Sequence, residues 1–381
     1  MLQTYITAEQ SWALWAVLFC AAAFGLWAER TGPGARLSGA AITMLTTFLL
    51  SNLNLIPANA GTYELIRTYL VPLAIPLLLV NTDLRRILLQ TGPTLLAFVI
   101  GAIGTVLGVL LAYSVIPLGE HGGQLAASLV ANYIGGPLNY ADTARAVGLH
   151  MPELLKAGLA ADHLMMVIYF LILFSLPSMY RLRSRFRERS DRHRLATEVI
   201  LRKESHSGER INLPGISTAI AMSLIICAIA FELEKRLAYA GSAILIITLS
   251  GMVIAGVFRS AMQRLDGAME TGTLFMHIFF ATIGAGANVT TVLKFGPILF
   301  LFVLIILLVH LLVALLLGKY ARLSLPEIII ASNAGMGGPT TALAMASARR
   351  WHALMVPAIL CGSLGFASAN FVGTSIARLL Q

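Results

Sequence analysis

The sequence predicts an all-α polytopic membrane protein. It is read as two inverted repeats of five transmembrane helices, each with a re-entrant or broken helix hairpin. Three observations carry that reading. The 381-residue chain is 57% hydrophobic and only 12% charged, with a mean hydropathy of +0.81, whereas a soluble domain carries about 25% charged residues. Apolar runs of roughly 20 residues, the length that spans a bilayer core, recur along the whole chain. Two Gly-Gly-Pro breaks, Gly135-Gly136-Pro137 and Gly337-Gly338-Pro339, interrupt apolar segments 202 positions apart.

Residues 11–28 form the first span, with Trp12 and Trp15 as interfacial anchors. No Lys or Arg precedes it, so the basic leader of a signal peptide is missing and the segment is kept as a membrane helix. The Gly32-Pro33-Gly34 turn ends it. Spans follow at 37–56, at 65–80 with Pro72 and Pro76 inside, and at 93–116, where Gly101, Gly104 and Gly108 allow close helix contact. The broken segment 124–147 and a span at 153–177 complete the first repeat, 1–178. Segment 179–210 holds ten of the 27 Lys and Arg residues and reads as a cytoplasmic loop, not a nucleic-acid surface. The second repeat, 211–381, has spans at 213–232, 240–258, 270–287 and 295–317, a broken segment at 326–348 and a last span at 352–377. Ala28-Glu29-Arg30 aligns with Leu233-Glu234-Lys235 and Gly92-Pro93 with Gly296-Pro297, at offsets of 205 and 204, close to the 202 of the two breaks. Cys20, Cys227 and Cys361 lie in apolar runs and form no disulfide framework.

Charge distribution chooses between breaks that cross the membrane and breaks that dip in and return. With the central loop inside, the returning arrangement leaves 10 other Lys and Arg inside and 7 outside; the crossing arrangement leaves 6 and 11. The returning arrangement predicts ten crossings, both termini outside, and two hairpins entering from opposite faces.

A helix break in hydrocarbon is tolerated only where protein or a wet cavity surrounds it. Gly admits unusual dihedrals, and Pro starts a helix without loss of a needed N–H. Pro137 and Pro339 are therefore expected to begin half-helices whose positive dipole ends lie at the midplane, where they favour an anionic group. Asn132, Asn139 and Asp142 accompany the first break, and Asn333, Thr340 and Thr341 the second. With Gly135, Gly136, Gly337 and Gly338 they make the expected substrate site, although Asn and Thr can equally serve to satisfy the opened backbone. Asp162, inside the 153–177 span, reads as a Na⁺ ligand or a proton carrier, with a structural ion pair to Lys156 or Arg145 as the alternative. Asn370 answers it by repeat position, and Asn81 and Asn288 end matched spans whose carbonyls could join a cation site. His163, His277 and His310 read as structural.

Tyr133-Ile134-Gly135-Gly136, Ala160-Ala161-Asp162, and Asn333 through Pro339 with Trp351 and Pro357 resemble the YjcL-like bacterial membrane proteins over nearly the whole chain. The resemblance implies the clan of cation/proton antiporters and anion transporters, with its sodium–glutamate and sodium–citrate symporter types. It further implies a bacterial cell membrane, a scaffold domain, a moving core domain carrying the breaks, and a homodimer. Pro137 and His163 depart from the family pattern, and the second departure leaves the coupling ion open.

The expected function is secondary active transport of a small organic, anionic solute, coupled to Na⁺ or H⁺ by alternating access. No cofactor other than Na⁺ is called for. No arginine lies at either break, so a monocarboxylate, amino acid or small peptide fits better than a dicarboxylate. A channel is the alternative, but the polar residues gather at two breaks and not along a pore. An enzyme is not expected, since H-E-x-x-H, G-x-S-x-G and P-loop patterns do not occur.

Overall fold

The computed structural model describes residues 4–32, 34–80, 84–186, 212–238, 241–262, 264–295 and 297–380. Asn81 and the basic loop beyond Phe186 lie outside the described residues.

The regular structure of the described residues is helical. The first half holds α1 (Ser11–Ala28), α2 (Gly39–Asn52), α3 (Gly61–Leu79), α4 (Leu84–Val115), α5 (Gly122–Gly135), α6 (Pro137–Ala146) and α7 (Pro152–Ser175). The second holds α8 (Leu213–Leu237), α9 (Ser242–Val257), α10 (Ala268–Gly286), α11 (Val289–Phe295), α12 (Pro297–Tyr320), α13 (Leu325–Ala348) and α14 (Met355–Leu379). Eight of these segments are long and apolar enough to cross a membrane, and α2 and α9 are shorter apolar helices of 14 and 16 residues. Pro72 and Pro76 lie in α3, which carries a π-helical turn over Ile66–Leu70.

The helices pack as two bundles. One joins α1, α2 and α3 with α8, α9 and α10. The other joins α4, α7, α12 and α14 with the two broken elements. Each bundle draws on both halves of the chain. Small residues set the close approaches, as expected for helices that gain no hydrophobic drive from lipid. A methyl on Gly101, Gly104 or Gly108 of α4 would meet His310, Val313 or Ile306 of α12 at 2.7–3.0 Å. Where the bundles touch, Phe280 of α10 meets Phe170 and Phe174 of α7 edge-on, with centroids 6.4 and 5.4 Å apart. Thr273 and Ser347 share a 3.1 Å hydrogen bond across the same boundary.

One end of the molecule gathers loops that the charge count places on a common side. Arg349 donates to the Leu37 carbonyl at 3.4 Å, and the Ser178 hydroxyl donates to the Arg36 carbonyl. Burial lowers the Arg349 guanidinium to about 10, against an opposing pull from Glu29, and leaves it cationic at neutral pH.

Candidate functional site

Both Gly-Gly-Pro segments are hairpins, and their own hydrogen bonds establish it. Gln124, at the start of α5, donates to the Val147 carbonyl just beyond α6 at 3.1 Å. Residues 23 apart on a straight helix would be about 35 Å apart. In α13, Thr341 donates to Asn333 at 2.7 Å and Asn333 donates to the Met345 sulfur at 3.4 Å. Positions 333 and 345 would lie about 18 Å apart on a straight helix. The turns occur at Gly136 (φ 88°, ψ 178°) and Gly338 (φ 80°, ψ −171°), conformations that only glycine adopts without strain.

The hairpins enter from opposite ends. The mouth of the first lies at the end of α14, where Gly123 approaches Leu380. The second opens at Arg349, a few residues before α14 begins. Helix α7 gives the same order: Gly158 faces Tyr140, Asp162 bonds Asn132, Phe170 faces Gly337, and Phe174 stacks under Arg349 at 5.6 Å. The tips meet in the middle. A Cβ on Gly136 would lie 3.4 Å from the Gly338 nitrogen. Phe366 of α14 covers both tips, its ring 3.5 Å from that Cβ position and 3.2 Å from the one on Gly338. The opposite edge of the ring faces Gly241, where α9 begins, at 3.3 Å.

The first tip carries open polar atoms. Asn132 is fully buried and donates to an Asp162 carboxylate oxygen at 2.7 Å. The other Asp162 oxygen, the Asn132 amide oxygen and the Tyr133 hydroxyl are buried without a hydrogen-bond partner. The Tyr133 hydroxyl stands near the Asp162 carboxylate but makes no hydrogen bond of ordinary geometry to it. Neither expected ion-pair partner reaches Asp162: Lys156 is exposed, and Arg145 pairs with Asp142. Hard oxygen donors of this kind suit an alkali cation or a proton. Among the described residues, no group of three or more His, Cys, Asp or Glu converges.

The remaining expected residues divide by what they touch. Asn139 donates to the Gly135 carbonyl at 3.0 Å and so satisfies the opened backbone. Asp142 is exposed at the hairpin's outer arm, bound to Arg145 and away from the tips. Thr341 donates to Asn333, with a longer contact to the Gly338 carbonyl, while Thr340 is half-buried beside it. Asn370 accepts from Thr143 of the first hairpin at 2.9 Å. The Asn288 side chain accepts from the Thr291 amide at 2.9 Å and from the hydroxyls of Thr290 and Thr291, capping α11.

Thr105, Ser332 and Tyr169 are not apparent from the sequence as neighbours of the tips. Behind the tips, the His310 ring nitrogens lie 2.9 Å from Thr105 and 2.9 Å from Ser332, and Ser332 bonds Tyr169 at 2.6 Å. This places His310 in a structural network, as expected. His163 is exposed, and His277 bonds the Thr273 carbonyl at 2.9 Å. Asn52 also escapes a reading by motif. Its amide donates to Ala287 at 2.9 Å and accepts from Val289 at 2.8 Å, bridging the interruption between α10 and α11.

Residues 16–381 match a family described as protein of unknown function (DUF819). The chain is 31% identical over 399 residues to a Bacillus subtilis (strain 168) protein named uncharacterized membrane protein YjcL, with 98% of each chain covered. The apolar helices and the full-length likeness to a membrane protein agree: the chain is a multi-pass membrane protein, and it belongs to the DUF819 family.

Proposed function

We propose that this chain is a secondary active transporter of a small organic, anionic solute, coupled to Na⁺ or H⁺ by alternating access. The observation that carries the reading is the meeting of two opposed hairpin tips at Gly136 and Gly338, beside a buried Asp162 with an open oxygen. Opposed broken helices place positive dipole ends and freed backbone groups at one depth, where a solute carboxylate and a coupling ion can both be held. A carboxylate inside a span costs about 2.5–3.5 kcal/mol on insertion scales, so it calls for a cation or a proton. Asp162, Asn132 and Tyr133 are the residues that would hold it. Gly135, Gly136, Gly337, Gly338 and Thr340 would face the solute.

In this reading the chain forms two inverted repeats of five spans. The bundle of α4, α7, α12, α14 and the hairpins is the moving core, and the other bundle is the scaffold. Both termini lie outside, the protein resides in the cell membrane of a bacterium, and it functions as a homodimer. The test is uptake in proteoliposomes of radiolabelled monocarboxylates and amino acids under an imposed Na⁺ or proton gradient. The reading expects accumulation driven by one gradient and abolished by its ionophore. Uptake that ignores both gradients contradicts it.

A further inference from the structure

A cavity of about 630 Å³ opens between the connection from α1 to α2 and the end of α7, far along α7 from Asp162. Arg36, Leu37, Ser178 and Met179 form most of its wall. It adjoins the end of the span formed by α7, and so lies at the level where lipid tails give way to headgroups. Its chemistry is divided. Leu37 and Met179 are 38% and 54% exposed, and Tyr180 beside them is 82% exposed. Two nearby hydroxyls are already committed as donors, Ser175 to the Ile172 carbonyl and Ser178 to the Arg36 carbonyl. The Arg36 guanidinium is therefore the side-chain donor left on the wall.

Arg181 and Arg185 follow Met179 of that wall by two and six residues. They stand four residues apart, on one face of the short helix Tyr180–Arg185, and both are exposed. The ion pairs Glu64–Arg67, Asp142–Arg145 and Glu232–Arg236 involve none of these three arginines. A loop that merely sets topology needs positive charge but no cavity and no exposed apolar wall. A ligand with an anionic head and an apolar tail needs both.

We propose that this cavity is a binding site for an anionic glycerophospholipid, with the phosphate held by Arg36 and Arg181 and an acyl chain lying along Leu37 and Met179. The site is independent of the transport reading, since it touches neither hairpin tip. Free phosphate offers the same charge without the tail, and phosphatidylcholine the tail without net charge.

The test is thermal unfolding of the purified full-length protein in an uncharged detergent. It is titrated with dioleoyl phosphatidylglycerol, dioleoyl phosphatidylcholine or inorganic phosphate. Phosphatidylglycerol is expected to raise Tm saturably, and the other two to leave it unchanged. Arg36→Ala with Arg181→Ala should raise the half-saturating concentration ~10-fold or more. Arg264→Ala, an exposed arginine of another loop, should not change it. If the double variant does not fold, native mass spectrometry of the wild type decides. Selective retention of one phosphatidylglycerol supports the site, and equal retention of both lipids overturns it. Equal stabilisation by phosphatidylcholine or phosphate, or a titration unaffected by the double substitution, also overturns it.

Discussion

The two hairpin tips share a backbone and differ in their side chains. Gly136 and Gly338 turn with nearly the same φ, and each is followed by a proline that starts the returning arm. Yet Asn132 reaches out of its hairpin to Asp162 on α7 and leaves three buried oxygens open around the pair. Asn333 turns inward, and its own hairpin satisfies it through Thr341 and Met345. Unsatisfied buried polar atoms cost stability, so a fold keeps them where they have a use. The first tip therefore leaves polar atoms open toward α7, and the second satisfies its own.

Several substitutions sharpen or break that contrast. The largest effect is expected from Asp162→Asn, which should abolish gradient-driven uptake while the protein stays monodisperse by size exclusion. Wild-type ion dependence in that variant would remove Asp162 from the coupling site. Gly338→Ala should come next. Alanine must hold the positive φ of this position, and its methyl meets Phe366 at 3.2 Å, so strain and overpacking together cost about 2–4 kcal/mol by equilibrium unfolding. Phe366→Leu in the same chain should recover part of that loss, and no recovery would place the cost in the backbone alone. Thr341→Val leaves the Asn333 oxygen unpaired in a buried site. It should cost about 1–3 kcal/mol of stability and leave ion dependence unchanged; a changed ion dependence would make the second tip part of the coupling site. The smallest effect belongs to Asp142→Asn. Its pair with Arg145 is exposed, so stability should move by less than about 1 kcal/mol and uptake should hold.

Much of the architecture is legible in the sequence because its causes are local. Eight span-length helices fall where the apolar runs place them, while the spans expected at 37–56 and 240–258 are shorter apolar helices of 14 and 16 residues. Glycine and proline mark the breaks because few other residues tolerate such turns. The charge count anticipates hairpins that return, and the Gln124–Val147 and Asn333–Met345 bonds join the two arms of each break. The division of labour among polar residues is less legible, because it depends on which helix lies opposite. Asp142 and Asp162 are alike as letters, but one is exposed beside Arg145 and the other is buried against Asn132. Asn288 looks like a candidate ligand but caps α11. Phe366 carries no motif at all, and only the meeting of three chain segments on its ring reveals it.

Alternating access by opposed hairpins requires that the two mouths open to different sides of the membrane. Sided labelling reads this directly, in a background where Cys20, Cys227 and Cys361 are replaced. Glu120→Cys stands next to the first mouth and Tyr320→Cys just before the second, and both positions are exposed. In intact cells, a membrane-impermeant maleimide should label Glu120→Cys at once and Tyr320→Cys only after permeabilisation. Labelling of both from the same side would contradict the account.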